Sequence, residues 1–227
     1  MIILDSGHHH KLDSGNAYDP GCTFGSFKEA DIVHDIKNKL AMKCARMNIP
    51  YFIPCYIYDT RERFWQAYKH NPKYYLCLHI NSSVNSEASG VEAIYNNAGR
   101  QLANDLVWDL VDNLNMVNRK AYHYSKNNRS PAMFDVSGNV PMVLLELGFL
   151  SNEADRAKLV NNQDAFVDII FFTLAKTVGL DFTVFTTGSK TAQKKDKSIT
   201  LSAPVIQSNN RTYFPLRTLE EIDKDNM

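Results

Sequence analysis

Residues 74–80 read YYLCLHI, and this nearly continuous apolar run decides the fold. Two further runs have the same character, MIILD at residues 1–5 and PMVLLELG at residues 141–148. Strands that are buried on both faces, as in a parallel sheet, need apolar side chains at almost every position. The three runs therefore predict central strands. Weaker strand patterns are present at residues 50–58 (PYFIPCYIY) and 90–95 (GVEAIY).

Helical patterns separate these strands. Apolar side chains recur at helical spacing on one face of residues 27–47, and leucines recur every four residues through 102–114. A short helix is expected within 61–71. SNEADRAKL at 151–159 begins with cap residues, and an apolar helix over about residues 164–178 follows it. The alternation of strands and helices predicts an α/β domain with a largely parallel or mixed central sheet and helices on both faces.

The chain has 227 residues, which suits one domain with a small appendage. We expect a single α/β domain over residues 1–182. The polar, basic segment that ends in TTGSKTAQKKDKS predicts a linker over residues 183–198. The remaining residues, 199–227, contain two β-like runs around an Asn-Asn turn and a helical turn. They are too few to bury a core of their own.

Charge and hydropathy exclude several classes of function. The 25 basic and 25 acidic residues give a formal net charge of zero, so there is no global electrostatic footprint for nucleic acid. The longest apolar stretch, residues 166–180, is too short to span a bilayer and contains Asp168 and Lys176, which argues against membrane insertion. The opening MIILDSG is too short for a signal peptide and lacks a basic leader, which predicts synthesis in the cytoplasm. Four scattered cysteines without a CxxC pair predict reduced thiols.

Polar residues at the ends of the predicted strands carry the chemistry. His8 follows the first strand, and His79 and Glu146 lie near the ends of two apolar runs. The carboxyl ends of parallel strands line the ligand crevice of an open α/β sheet, so these side chains are expected to converge there. Glu29, at the start of the first predicted helix, is a natural fourth member.

Two histidines and a carboxylate make a zinc set that leaves one position open for water, and a second carboxylate could act as general base. One of the three consecutive histidines at 8–10 would then be a ligand. Each residue also has a structural explanation: His79 as a hydrogen-bonded core residue, His8 as a solvated loop residue, Glu29 as an acid favoured by the helix dipole. Glu146 is harder to explain in this way, because a carboxylate in a buried strand is costly unless it is paired.

The motifs DSGHHH, DPGC followed by Glu29, TRER, LHINSS, GVE and VLLELGFLSN, in this order, resemble those of the zinc-dependent N-acetylmuramoyl-L-alanine amidases of the type called Amidase_3. These enzymes occur among bacterial cell-wall enzymes and phage endolysins, and the resemblance covers residues 1–178. It implies that His8, Glu29 and His79 bind one Zn²⁺ ion and that Glu146 is the catalytic carboxylate. The implied partner is peptidoglycan, cleaved at the amide between the lactyl group of N-acetylmuramic acid and L-alanine.

Four further residues are candidates for supporting roles. His9 and His10 stand where the family usually has small residues, and either could contact substrate or bind a second metal. Arg61 matches the family's TR element, where it would support the site by hydrogen bonding or form a surface ion pair. Asn81 would orient His79 or a substrate carbonyl, or cap the turn after the strand.

For the biological setting, the expected absence of an export signal favours an endolysin that is released through a holin and then acts at the cell wall. The alternatives are a host autolysin or spore-lysis amidase, a wall-binding module with a degenerate, non-catalytic zinc site, and a zinc peptidase of soluble peptides. The tail APVIQSNNRTYFPLRTLEEI at residues 203–222 resembles a truncated form of the module first described at the N-terminus of copper amine oxidases. It would be a wall-targeting module, an oligomerisation arm or an unfolded remnant, and no copper is implied.

Overall fold

The structure is a computed structural model. It describes residues 1–8, 19–55, 59–126 and 132–178, together with five short strands between residues 184 and 213. The chain divides into two compact units, Met1–Ala175 and Lys176–Met227.

A six-stranded mixed sheet forms the centre of the first unit, with the strand order β4-β1-β5-β8-β6-β7. The strands are β1 (Ile2–Ser6), β4 (Tyr51–Phe52), β5 (Tyr74–Asn81), β6 (Val91–Tyr95), β7 (Asn118–His123) and β8 (Met142–Phe149), and a separate small hairpin pairs β2 (Thr23–Phe24) with β3 (Phe27–Lys28). The first four strands in this order, β4, β1, β5 and β8, pair in parallel with one another. The fifth strand, β6, is antiparallel to β8 and parallel to β7. The predicted mixed α/β fold is confirmed, and the three central apolar runs are adjacent parallel strands.

Helices flank this sheet. They are α1 (Glu29–Arg46), α2 (Thr60–Tyr68), α3 (Arg100–Leu114), α4 (Met133–Val136), α5 (Glu153–Asn161) and α6 (Gln163–Thr177). The predicted cap at Asn152 is present, because its side-chain oxygen accepts the Asp155 N–H at 3.1 Å. No helix in the described part of the chain combines the length and the apolarity needed to cross a membrane.

The core strands explain why the sheet edge carries polar groups. Every residue of β8 is buried except Glu146, which is half-buried, and the interior exceptions in β5 are His79 and Asn81. Apolar side chains along both strands fill the core, including Tyr75, Leu76 and Leu144. The few polar positions therefore collect near the carboxyl ends of these strands.

Within the six-stranded sheet, one strand lacked a sequence signal. The segment NRKAYH forms β7 at the edge of the sheet, where no residue is fully buried. An edge strand needs no apolar run, and charged residues there discourage pairing with other chains. The weakly predicted strand at residues 50–58 contributes only Tyr51–Phe52, and residues 56–58 lie outside the described chain.

Beyond the end of α6, the described part of the second unit consists of short strands. A three-stranded antiparallel sheet has the order β11-β10-β9, formed by β9 (Val184–Phe185), β10 (Thr191–Lys194) and β11 (Lys197–Thr200). A hairpin pairs β12 (Ile206–Ser208) with β13 (Arg211–Tyr213). The first three strands lie in and around the predicted linker, 183–198, whose polar composition gave no β signal. The helical turn predicted near the end of the chain lies outside the described residues.

Candidate active site

The end of β1 leads directly to His8. β1 is buried along its whole length, and the Gly7 N–H donates to the Leu78 carbonyl of β5 at 2.9 Å, which fixes where the chain leaves the sheet. His8 Nδ1 lies 2.9 Å from Asp19 Oδ2. A carboxylate at one ring nitrogen favours a proton there, so Nε2 keeps the lone pair that a metal requires.

Glu29 is the first residue of α1, and its carboxylate is held from four directions. Oε1 accepts the Ile80 N–H at 2.9 Å and Oε2 accepts the Cys22 N–H at 3.0 Å. His79 Nδ1 lies 3.0 Å from Oε1, and His8 Nε2 lies 3.3 Å from Oε2. Burial raises the pKa of the Glu29 carboxyl, but hydrogen bonding and charge from His79, together with the charge of His8, outweigh burial and hold this pKa below its usual value. Glu29 is therefore ionised, as a metal ligand must be.

Three side chains form a donor set that fits zinc. One atom from each of His8, Glu29 and His79 can be chosen so that all three atoms lie within 4.8 Å of one another. Tetrahedral zinc, with bonds of about 2.0–2.2 Å, separates its ligand atoms by roughly 3.3–3.6 Å. The 3.3 Å between His8 Nε2 and Glu29 Oε2 matches this separation. Two imidazoles and a carboxylate are donors that zinc accepts readily.

Two glycines make room for these donors. A Cβ on Gly7 would lie 1.8 Å from His79 Cε1, and a Cβ on Gly21 would lie 2.5 Å from Glu29 Oε2 and 2.6 Å from His8 Cδ2. Gly21 also has a φ of +64°, a left-handed conformation that glycine adopts without strain. Gly7 is required for close packing against the imidazole and not for a left-handed turn.

Glu146 lies beside the donor set on β8. Its backbone partners are His79 on β5 and Glu92 on β6. Burial raises the pKa of the Glu146 carboxyl well above its usual value, and the negative charges of Glu29 and Glu92 raise it further. Its Oε2 is buried and has no hydrogen-bond partner among the described residues. A carboxyl group in this setting can hold a proton near neutral pH and has an acceptor free for a bound molecule.

Comparison with known proteins identifies the family. The family model described as N-acetylmuramoyl-L-alanine amidase matches residues 2–170. The chain belongs to this amidase family. A comparison with curated protein sequences gives no match.

Solved structures of amidases share this fold. The N-acetylmuramoyl-L-alanine amidase AmiC2 of Nostoc punctiforme is 21% identical, with a TM-score of 0.66 over 79% of this chain and 97% of that one. The catalytic domain of the amidase CwlV from Bacillus (Paenibacillus) polymyxa var. colistinus is 19% identical, with a TM-score of 0.67 over 79% and 98%. The amidase from Clostridium difficile 630 is 22% identical, with a TM-score of 0.66 over 80% and 97%. At these identities the similarity establishes the fold alone.

The supporting residues expected in this amidase-family chain lie in different places. Asn81 donates from Nδ2 to Glu92 Oε1 at 2.9 Å, and its Oδ1 accepts the following N–H, which caps the turn. Arg61 is half-exposed on α2, and its Nη2 lies 3.8 Å from Asp135 Oδ2. This contact corresponds to the surface ion pair that was the alternative role predicted for Arg61. His9 and His10 lie outside the described residues, so their predicted contacts stay predictions.

Sequence reasoning missed the residue that supports β1. The neighbour of Arg61 in the sequence, Arg63, is buried and donates from Nη1 to Asp5 Oδ1 at 3.0 Å and to the Ser6 carbonyl at 2.8 Å. The Tyr75 hydroxyl donates to the other Asp5 oxygen at 2.7 Å. This buried network fixes the strand that ends at the site, and nothing in the spacing of TRER distinguishes its two arginines.

Sequence reasoning also missed two acidic residues beside the site. Asp19 opens the DPGC segment that is part of the family resemblance, but its contact with His8 depends on the tertiary fold. Glu92 did have a signal: it interrupts the apolar run GVEAIY in the same way that Glu146 interrupts PMVLLELG. It is buried and accepts from Arg119 Nε at 2.8 Å and from the Tyr122 hydroxyl at 3.3 Å.

Proposed function

We propose that the protein is a zinc-dependent N-acetylmuramoyl-L-alanine amidase that hydrolyses the lactyl amide between N-acetylmuramic acid and L-alanine in peptidoglycan. The observation that carries this proposal is the convergence of His8, Glu29 and His79 next to Glu146, whose buried Oε2 has no hydrogen-bond partner in the described part of the chain. The proposed substrate is inferred from the family. The proposed place of hydrolysis is inferred from the arrangement of these four residues.

The proposed ligands are His8, Glu29 and His79, with one zinc ion per catalytic domain. Zinc held there would supply Lewis acidity, which polarises an amide carbonyl and lowers the pKa of water towards neutrality. Asp19 would keep the His8 ring in the tautomer with a free Nε2, and the Ile80 and Cys22 N–H groups would hold the Glu29 carboxylate in place. These contacts form a site that is organised before zinc binds.

The proposed role of Glu146 is general acid–base catalysis. It would accept a proton from the attacking water and return that proton to the leaving amine of L-alanine. A general base works best with a pKa near the operating pH, and burial together with Glu29 and Glu92 moves the Glu146 pKa in that direction. Among the described residues the donor set has three members, whereas a structural zinc site is usually closed by four. This count favours an enzyme over a wall-binding module with a degenerate zinc site.

The test compares the wild-type protein with Glu146→Gln on purified sacculi, with Glu62→Gln on the exposed part of α2 as a matched control. Products are analysed by mass spectrometry and bound zinc by elemental analysis. We expect the wild type and Glu62→Gln to release stem peptides that begin with L-alanine. Glu146→Gln should keep its zinc and lose activity by about 100-fold or more.

Other outcomes separate the alternatives. Zinc-loaded wild type that binds sacculi without cleaving them would establish a wall-binding module. Cleavage within free peptides, with sacculi left intact, would establish a peptidase. Full activity of Glu146→Gln would remove Glu146 from the mechanism.

The biological setting stays a prediction: host lysis as a holin-released endolysin, or wall turnover as a host autolysin or spore-lysis amidase. Expression of the chain in a host with a susceptible wall tests it. An endolysin lyses these cells only after the membrane is permeabilised by a pore-forming agent. The tail at residues 199–227 likewise keeps its predicted alternatives: a wall-targeting module, an oligomerisation arm or an unfolded remnant.

A further inference from the structure

An arginine lies on the side of Glu146 away from the metal donors, and the proposed mechanism gives it no task. We propose that Arg119 binds a carboxylate on the peptide part of the substrate, so that the enzyme prefers a stem peptide with a free carboxylate near the scissile amide over its amidated form. This inference rests on the proposed amidase function. Its support comes from a β-bulge, from the contacts of the guanidinium and from the strand order.

A β-bulge presents Arg119. Val91 of β6 pairs with Asn118 of β7, and Ala93 pairs with Ala121, so Glu92 alone faces two residues, Arg119 and Lys120. Lys120 has a φ of +74°, a left-handed conformation that is uncommon for a lysine, and its N–H is held by Asn118 Oδ1 at 2.8 Å. Bulges beside active sites commonly redirect a side chain. Here the redirected side chain is that of Arg119, which reaches Glu92.

The guanidinium of Arg119 is fixed before any ligand arrives. Nε donates to Glu92 Oε2 at 2.8 Å, and the guanidinium carbon lies 4.8 Å from the centre of the Phe149 ring. Glu92 is itself buried and accepts from Asn81 Nδ2. The Arg119 side chain is nevertheless 38% exposed. Nε is the atom that faces Glu92, and within the described ranges the two Nη groups make no hydrogen bond, so they can bind an acceptor from solution.

The strand order sets the distance between Arg119 and Glu146, where the proposed reaction takes place. Glu92 is the backbone partner of Glu146, and Phe149 is three residues beyond Glu146 on β8. The proposed metal donors lie towards β1 and β5, whereas Arg119 lies on β7, two strands from Glu146. Two strand spacings are roughly 10 Å, and two residues of extended peptide span roughly 7 Å. Because the Arg119 side chain reaches back to Glu92 on β6, its guanidinium suits a carboxylate on the second residue after the scissile amide.

Charge supports a carboxylate as the ligand. Glu92 is a buried carboxylate directly beside this arginine, and it would repel an anionic substrate without a local cation. Arg119 offsets this charge through its bond to Glu92. The guanidinium fork matches the two oxygens of a carboxylate and binds a neutral amide less strongly.

The experiment uses two substrates that differ in one group: the acid, N-acetylmuramoyl-L-alanyl-γ-D-glutamyl-L-lysine amide, whose only carboxylate is the free α-carboxylate of the second residue, and the amide, in which that carboxylate is a carboxamide. We expect the zinc-loaded wild type to cleave the acid with a kcat/KM about 10-fold or more above that of the amide. Arg119→Gln should lose this preference through slower cleavage of the acid only, and Arg119→Lys should recover part of it. Arg100→Gln, which changes an exposed arginine at the start of α3, should leave the preference unchanged.

Calorimetry with zinc-free protein gives a second readout. The acid should bind the wild type about 10-fold more tightly than the amide, and this difference should vanish in Arg119→Gln. Equal cleavage and binding of the two compounds by the wild type would overturn the inference, as would a variant that loses acid and amide cleavage equally. If the wild type cleaves neither compound, the proposed function fails, while the binding ratio still decides the role of Arg119.

Discussion

His79 and Glu146 face each other across the parallel pairing of β5 with β8, and their side chains leave the same face of the sheet. Each interrupts a strand that is otherwise buried over most of its length. A polar group in the middle of such a strand costs free energy unless it has a partner. The proposed ligand and the proposed base are therefore adjacent because of strand register, and no loop has to close to bring them together.

Replacement of Glu146 by glutamine is expected to stabilise the zinc-free protein at neutral pH. The folded-state pKa of Glu146 is raised by burial, so its contribution to stability is complete below the unfolded pKa of about 4.3 and is lost as the pH rises through the folded pKa. Glutamine does not ionise, so its contribution to stability does not fall as the pH rises. We expect Glu146→Gln to exceed the wild type in free energy of unfolding by on the order of 1 kcal/mol at pH 7.5 and to equal it at pH 4.

Denaturant unfolding in the presence of a chelator measures this difference, and Glu62→Gln serves as an exposed control with no expected pH trend. A constant difference between wild type and Glu146→Gln from pH 4 to pH 7.5 would contradict the raised pKa. Together with lost activity, a gain in stability would mark Glu146 as a residue kept for chemistry.

Two glycines allow a matched test of the room needed by the donors. Gly21 and Gly25 have φ values of +64° and +59°, so alanine at either site costs a similar strain of about 1–2 kcal/mol. A new Cβ at Gly21 would meet Glu29 and His8, whereas a Cβ at Gly25 would have no described residue within 4 Å apart from its chain neighbours. We expect Gly21→Ala to lower kcat/KM by about 100-fold and to weaken zinc binding, and Gly25→Ala to spare both. Equal zinc affinities of the two variants in a competition titration would contradict this account.

Asp19 is expected to strengthen zinc binding without contacting the metal. Its Oδ2 lies 2.9 Å from His8 Nδ1, the arrangement that orients a histidine ligand. Asp19→Asn should lower zinc affinity by about 10–100-fold. Asp164→Asn, which breaks an exposed pair with Lys39, is the control and should leave affinity unchanged. Should Asp19→Asn bind zinc as tightly as the wild type, the contact has no role in metal binding.

The candidate site shows what sequence can predict. His79 and Glu146 are readable because each is polar within an apolar run, and the cost of burying such a group is a property of the local sequence. Asp19 contacts a residue 11 positions away in the sequence, and Arg63 contacts one 58 positions away. No local sequence pattern predicts these tertiary contacts. The edge strand β7 also lacks a local sequence signal, because a half-exposed strand needs no apolar run. The sheet's core and its polar interruptions were thus predictable, and the residues that orient them were not.

The two arginines of TRER give the sharpest test of this distinction. Arg63 and Asp5 are both buried, and removal of one partner leaves the other charge uncompensated, so Arg63→Gln should cost about 3–5 kcal/mol in free energy of unfolding. Arg61 is half-exposed with a partner 3.8 Å away, so Arg61→Gln should change stability by no more than about 0.5 kcal/mol. Urea unfolding of both variants measures the contrast.

The double variant Asp5→Asn/Arg63→Gln separates the pair from simple loss of packing. The loss of stability in Arg63→Gln could arise from the Asp5 carboxylate, which is left buried without a counter-charge. In that case, neutralising Asp5 should recover part of the stability, because the uncompensated charge is gone. Additive losses in the double variant would instead show that Arg63 stabilises β1 through its bonds to the backbone carbonyls of Ser6 and Gly7. Either result concerns the strand that ends at His8, so zinc affinity measured on the same variants shows how far the position of that strand controls the site.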